Sequence, residues 1–210
     1  PVAERHWAQK SGVGWVGRNG MVIVPGAGSY VLLAEILCNL SLPEDTPLTD
    51  EVGDCESCGR CVAACPTGAL DDAGCFHAEK CLSYHTIENR GEIPDAIAAT
   101  MTNQLYGCDL CQHACPFNRD LLPGEPELRT RAAMPTAEAV AAWTEADWDA
   151  ATQGTAVRRA TYPMLLRNAA IAAGNVGTPE HIELLRDLAG RCPEFGDIVA
   201  WSVAQIEARR

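Results

Sequence analysis

Eleven cysteines in 210 residues are enough to do metal chemistry, and eight of them fall into a spaced pattern. The first run reads Cys55-x2-Cys58-x2-Cys61-x3-Cys65-Pro66. Three thiolates in one tight loop can each reach a different iron of a cubane, while the fourth, carried onward by a turn and a proline, reaches a second cubane. A shorter run answers downstream as Cys108-x2-Cys111-x3-Cys115-Pro116, with Cys81 ahead of it. Four plus four thiolates is the ligand count for two [4Fe-4S] clusters. By the crossover logic Cys55, Cys58, Cys61 and Cys115 hold one cluster, and Cys65, Cys81, Cys108 and Cys111 the other. Paired CxxC motifs also occur in zinc ribbons, but those do not use the CxxCxxCxxxCP run, and two Cys-Pro endings point away from zinc and from disulfides. Cys38, Cys75 and Cys192 remain, read as small apolar residues.

These ligands need elements to position them. The chain is long enough for one or two domains with cores. At 47% hydrophobic and 21% charged it has the composition of a soluble globular protein. No apolar run reaches membrane-spanning length; the stretch around Val31 to Leu37 contains Glu35. The sequence shows no signal peptide or twin-arginine leader, although it opens at Pro1 without a methionine. Clustered cysteines indicate metal and a reducing compartment, so a cytoplasmic location is expected. The formal charge of −12 argues against non-specific coating of nucleic acid. Residues 155–210 hold seven Arg against six Asp plus Glu, so nucleic-acid contact is expected to be local and to lie there.

Along the chain, residues 1–50 read as the end of an α/β unit. Glu4 to Ser11 suits a short helix, and Gly12 to Gly20 a turn-rich loop. Met21 to Val24 reads as a buried strand ended by Pro25, with Gly26 to Ser29 a second tight loop. Tyr30 to Leu40 is ambiguous, long enough for a helix yet starting like a strand that returns beside the first. The glycines suit either close approach of a large flat ligand or simple turns; without a preceding strand and following helix they make no dinucleotide fingerprint. Leu42 to Asp54 is an acidic, proline-containing linker. A cluster domain of 51–123 follows, in which Ile93 to Leu105 has helical spacing. Tyr84, Tyr106 and Phe117 are read as packing.

Residues 124–210 read as helical. Thr136 is a candidate N-cap for a helix to Trp143, Asp147-Trp148 resembles a second start, and Arg158 to Gly174 repeats apolar residues at helix period. Thr178-Pro179-Glu180 opens a helix over His181 to Ala189, and Ile198 to Ile206 forms another. Paired helices of this length look like HEAT-type repeats, near the minimum for such a module. The five histidines share no spacing, and no nucleophile triad, phosphate loop or carboxylate pair stands out.

Together these pieces make the chain resemble the epoxyqueuosine reductases. The resemblance rests on Pro1-Val2-x-Glu4-Arg5, Gly12-x-Gly14-Trp15-x-Gly17-Arg18-Asn19 and Gly28-Ser29. It continues through Cys81-Leu82-Ser83-Tyr84, Thr86-Ile87-Glu88, Tyr106-Gly107-Cys108-Asp109-x-Cys111-Gln112 and Arg167-Asn168-Ala169-Ala170. It implies an α+β enzyme with three parts: a nitroreductase-like corrinoid domain ending near residue 50, a two-cluster ferredoxin-like domain and a HEAT-like tail. Electrons would pass from a donor such as flavodoxin or ferredoxin through both cubanes to cobalamin, and reduced cobalt would open the epoxide of a tRNA base. By matching positions, Arg18, Ser29, Ser83 and the Cys108-Asp109 backbone are candidates for corrinoid contact. Arg90, Arg158, Arg159 and Arg167 are candidates for the anticodon stem-loop, with solvated helix faces the other reading of the last three.

Position 18 is usually Lys in the family and is Arg here. The family's catalytic Asp is expected upstream of Pro1, so no catalytic residue is assigned and the chain as it stands is expected to be inactive. A monomer without membrane contact is expected. A corrinoid reductive dehalogenase and a plain two-cluster ferredoxin carrier are the alternatives. The helical tail counts against both, and the glycine loops also count against the carrier.

Overall fold

The computed structural model describes residues 3–48, 55, 57–121, 124–128 and 133–209. The Pro1-Val2 pair, the end of the acidic linker (49–54) and the boundary at Pro123 lie outside them. The chain forms two compact units, neither continuous in sequence: Pro1–His77 with Asp109–Arg129, and Ala78–Cys108 with Thr130–Arg210.

In the first unit, α1 (Glu4–Lys10) buries Ala8 and carries an acid in its first turn and a lysine in its last, matching the helix dipole. Two short strands follow, β1 (Trp15–Val16) and β2 (Val22–Ile23). They pair antiparallel, Trp15 opposite Ile23 and Val16 opposite Val22. The buried strand therefore lies where the apolar run predicts, but its partner does not come from Tyr30 onward. It comes from inside the glycine loop, because Gly14 lets the Ile23 carbonyl approach to 2.4 Å of where a Cβ would stand. Residues 30–48 form neither helix nor strand. With Ile36 and Leu37 91% and 92% exposed, no burial drives them into regular structure. Two short helices complete the unit: α2 (Arg60–Ala64), entered from Gly59 at φ +57, and α5 (Leu110–His113), which packs against it.

The second unit begins with α3 (Leu82–Ile87) and α4 (Asp95–Ala98). A helix over Ile93 to Leu105 is expected from periodicity, yet only α4 forms: Pro94 caps its start and Thr102 turns to φ +50. Then come α6 (Ala137–Ala141), α7 (Glu145–Thr152), α8 (Tyr162–Val176), α9 (His181–Arg191) and α10 (Gly196–Ala208). Thr136 caps α6 as its sequence suggests, accepting from the Ala139 N–H. The next helix starts earlier than Asp147, because Thr144 is the cap and Asp147 the returning member of a capping box. Pro163 sets the first turn of α8, leaving Ala156–Arg159 as a 3-10 turn rather than helix.

Helix α8 is the centre of this unit. Met164 to Gly174 are buried without a break, as expected of a helix covered on all sides. Its Leu166, Ala170 and Ala173 pack on Ile182, Leu185 and Leu188 of α9 and on Val199 and Ile206 of α10. Leu165, Ala169 and Ala172 meet Val140 and Ala141 of α6. Ile171 joins Leu82, Ile93, Ala98 and Met101, the segments nearest Cys81 and Cys108 in sequence. No helix among the described residues is long and apolar enough to cross a membrane.

Candidate metal centre

The first cysteine run folds as a loop, a helix and an extended exit. Cys55 and Cys58 precede the left-handed Gly59, Cys61 lies on α2, and Cys65 leaves the helix in extended backbone ahead of Pro66. The second run repeats the pattern at α5, with Cys111 on the helix and Cys115 opening the turn Pro116–Asn118. Packing of α2 on α5 places Cys55, Cys58, Cys61 and Cys115 around one small cavity, with Arg18 and Arg60 at its wall. Burial, and then the neighbouring Cys55 and Cys115, pushes the Cys61 thiol up, while burial with Cys55 and Cys58 does the same at Cys115. Thiols gathered in this way, two of them with raised pKa, favour a cation in their midst. Among the described residues no three Cys, His, Asp or Glu side chains are placed to hold a single ion. A cubane offers one iron to each thiolate and asks for a shared cavity rather than a shared point. The donor set fits a cubane.

Cys65 differs from its neighbours. Burial works to raise its pKa, but donation from the Thr67 hydroxyl and the Thr67, Ala69 and Leu70 N–H groups outweighs it, and the thiol lies below its ordinary range. The Ala69 N–H stands 3.3 Å from its Sγ. The other members of its expected set divide between the units, Cys111 with Cys65, and Cys81 with Cys108. Cys81 occupies the N-cap position of α3, and Cys108 follows Gly107 at φ +75. Cys38, Cys75 and Cys192 form no disulfide among the described residues.

Several of the other expected site residues have protein partners of their own. Ser29 is 6% exposed; its N–H donates to Asn118 Oδ1 (2.7 Å), its hydroxyl donates to Gln112 Oε1 (2.9 Å) and accepts from Asn118 Nδ2 (2.9 Å). Gly28 is glycine because Asn118 leaves no room for a Cβ: its Oδ1 would stand 2.3 Å away. At that position the close approach is by protein, not by a flat ligand. Arg18 donates to the carbonyls of Asp71 (3.2 Å) and Asp72 (2.8 Å). Asp109 is exposed and accepts from Gln112 (2.8 Å), and Ser83 sits half-buried on α3. Tyr30, beside His113, has its phenol pushed up to about 12 by burial, then by Asp109, Cys111 and Cys115. Asn118 was not signalled by any motif, since its role depends on two segments 89 residues apart.

The arginines also separate. Arg90 is exposed, beside a cavity of about 520 Å³ whose wall includes Met164, Phe195, Ile198 and Trp201. Arg158 pairs with Asp149 (2.5 Å) and covers the Trp148 ring, while Arg159 pairs with Glu88 (2.6 Å); both remain solvent-facing. Arg167 is different. It is 7% exposed, and all five N–H groups are used: on the carbonyls of His85 (2.7 Å), Asn89 (2.8 Å) and Gly91, and twice on Asn168 Oδ1 (3.0 and 3.2 Å). Burial brings its pKa down to about 10, so it stays charged at neutral pH. It has no donor left for a phosphate, and the expectation that it contacts nucleic acid is corrected on that ground.

Comparison with known proteins adds to this geometry. Residues 54–118 match the family described as "4Fe-4S double cluster binding domain". Over 217 aligned residues the chain is 38% identical to epoxyqueuosine reductase of Escherichia coli, covering 100% of this chain and 56% of that protein. It is 41% identical to the Synechocystis epoxyqueuosine reductase over 179 residues, 80% of this chain and 59% of that one. Among solved structures it is similar to an epoxyqueuosine reductase with an epoxyqueuosine-modified tRNA-Tyr stem loop, at TM-score 0.88 and 30% identity, covering 97% of this chain and 55% of the other. It is similar also to the Streptococcus thermophilus epoxyqueuosine reductase, at TM-score 0.84 and 30% identity, covering 97% and 54%. The chain thus spans about half the length of the relatives it matches.

Proposed function

We propose that the chain is part of an epoxyqueuosine reductase, which it resembles over about half of its relatives' length, and that it carries electrons through two cubanes for the reduction of epoxyqueuosine to queuosine in tRNA. The observation that carries this reading is the gathering of Cys115, from the second cysteine run, with Cys55, Cys58 and Cys61 around one cavity. Removal of an epoxide oxygen as water takes two electrons and two protons. When bound, each cubane supplies a one-electron carrier. Cys55, Cys58, Cys61 and Cys115 would hold the first, and Cys65, Cys81, Cys108 and Cys111 the second. Arg18 and Arg60 put positive charge beside the first set, which favours an added electron.

The substrate reading extends to the tail, taken as HEAT-like and facing the anticodon stem-loop. Arg90, Arg158 and Arg159 are the cations available to phosphates. Arg158 and Arg159 would exchange carboxylate partners for phosphate, at little cost for exposed ion pairs. A corrinoid remains part of the proposal through the family resemblance alone. Ser29 and Arg18 are spent on the protein's own atoms, so no step is derived through it. A flavodoxin or ferredoxin donor, a monomeric state and a cytoplasmic location complete the reading.

The test is complementation. The complete reading frame encoding these residues is expressed in bacteria lacking their own epoxyqueuosine reductase, and the tRNA is digested to nucleosides for mass spectrometry. Queuosine should return, and fail to return with Cys108→Ala. Epoxyqueuosine persisting beside soluble, cluster-loaded protein would overturn the substrate. Cys65→Ala tests the ligand sets separately: it should remove the second cluster only, and loss of the first would break the crossover assignment.

A further inference from the structure

The Arg167-Asn168 pair is buried in the middle of α8, yet every polar atom of both side chains reaches out of that helix or to the other. Arg167 gathers the carbonyls of His85, Asn89 and Gly91, as described above. Asn168 donates to Thr86 O and Leu105 O, both at 2.9 Å, and accepts twice from Arg167. That uses both N–H groups and both lone pairs of the amide. One step further, the Thr86 hydroxyl accepts from the Gly107 N–H at 3.0 Å while donating back to Leu82 O at 2.8 Å. His85 closes the other side, its N–H donating to Cys81 O at 3.0 Å. The two chain segments so tied have one thing in common: one leaves Cys81, and the other enters Cys108.

We infer that Arg167 and Asn168 are positioning residues for the second cubane, fixing how the Cys81 and Cys108 thiolates stand relative to each other. This rests on the two-cluster reading above. The physical case is the completeness of the network. A buried carbonyl left without a donor costs about 1–3 kcal/mol. Five carbonyls from three stretches of backbone are served here by two adjacent side chains, so those stretches move together or not at all. Local sequence could have fixed each cysteine loop through its own turns. Instead the reference is a helix some 60 to 80 residues downstream, and the helical tail is mechanically part of the cluster's mounting. Hydrogen bonding and thiolate orientation tune the potential of a cluster, so the network bears on electron transfer without touching iron.

The experiment is a redox titration of anaerobically reconstituted protein followed by electron paramagnetic resonance. The two clusters are first identified by loss of their signals in Cys58→Ala and Cys81→Ala. Arg167→Lys keeps the charge but loses the planar fork, and Asn168→Ala removes both donors. Each should shift the midpoint potential and line shape of the cluster that Cys81 holds and leave the other unmoved. Thr86→Val, which removes the acceptor for the Gly107 N–H together with the hydroxyl's own donation within its helix but keeps Arg167 and Asn168, should give a smaller shift of the same cluster and serves where the larger changes prevent folding. Asn175→Ala is the control. It sits on the same helix and holds Ala98 O at 2.7 Å, a carbonyl outside the Arg167-Asn168 network, so neither signal should respond. Unchanged potentials in folded Thr86→Val and Asn168→Ala would overturn the inference, as would an equal shift of both clusters or a response to Asn175→Ala. Parent protein that binds a single cluster would instead overturn the two-cluster reading itself.

Discussion

Gly28 shows how much a single missing methyl group can organise. Its backbone stands at φ +71, and an added Cβ would meet Asn118 Oδ1 at 2.3 Å and the Phe117 carbonyl at 2.9 Å. Gly28→Ala must therefore both strain the backbone and dislodge Asn118, which holds Ser29. A loss of about 1–3 kcal/mol is expected, read as a lower urea midpoint at unchanged slope. A parental midpoint would mean that the Asn118 contact is loose. The cysteines were legible because cubane coordination is written in local spacing. Gly28 and Ser29 could be picked out, but not the residue that needs their space, since an asparagine 89 residues away carries no pattern. Arg167 was misjudged for the same reason: whether an arginine on a helix meets solvent depends on what covers that face.

Between helices, α8 and α10 approach closely. A Cβ at Gly174 would stand 2.8 Å from Ser202 Cα, and Ser202 itself is fully buried with a hydroxyl that has no partner among the described residues. The two positions should answer in opposite directions. Gly174→Ala overpacks the crossing and should cost about 1–3 kcal/mol. Ser202→Ala removes an unpaired buried hydroxyl and should leave stability equal or higher by about 1 kcal/mol, measured as thermal midpoints. If both destabilise alike, the hydroxyl has a partner in solution. At α7 the capping box predicts a pH effect. The Thr144 N–H and hydroxyl donate to the charged Asp147 carboxylate and hold its pKa below the ordinary 3.8. The folded value being depressed, the stabilisation is full above that ordinary value and lost as pH falls through the folded one. Asp147→Asn should flatten this part of an acid titration followed by helical signal, between about pH 5 and about pH 2; superimposable titrations would show that the box contributes nothing. Caps and prolines make such helix starts legible. The collapse of the expected Ile93 to Leu105 helix to α4 was not, because nothing local announces the positive φ at Thr102.

Across the whole molecule, the two units are held by different means. All three apolar clusters belong to the second, built around α8. Among the described residues, the first offers a hairpin of two-residue strands, three short α-helices and few buried apolar residues, among them Ala8, Val22, Ile23 and Leu70. Three consecutive stretches of sequence suggested three consecutive parts, whereas the compact units interleave, since the second cysteine run returns to pack α5 on α2. A unit so poor in core depends on bound metal for its stability, because metal that binds only the folded form contributes its binding free energy to folding. Stripping iron from the reconstituted protein by oxidation and chelation should therefore act unevenly. Most of the helical signal should survive, carried by α6 to α10, while limited proteolysis should cut rapidly within residues 1–77 and 109–121. Protection of those segments in the iron-free protein would mean that their packing stands without clusters. Simultaneous loss of all helical signal would mean that the tail depends on the clusters as strongly as they depend on it.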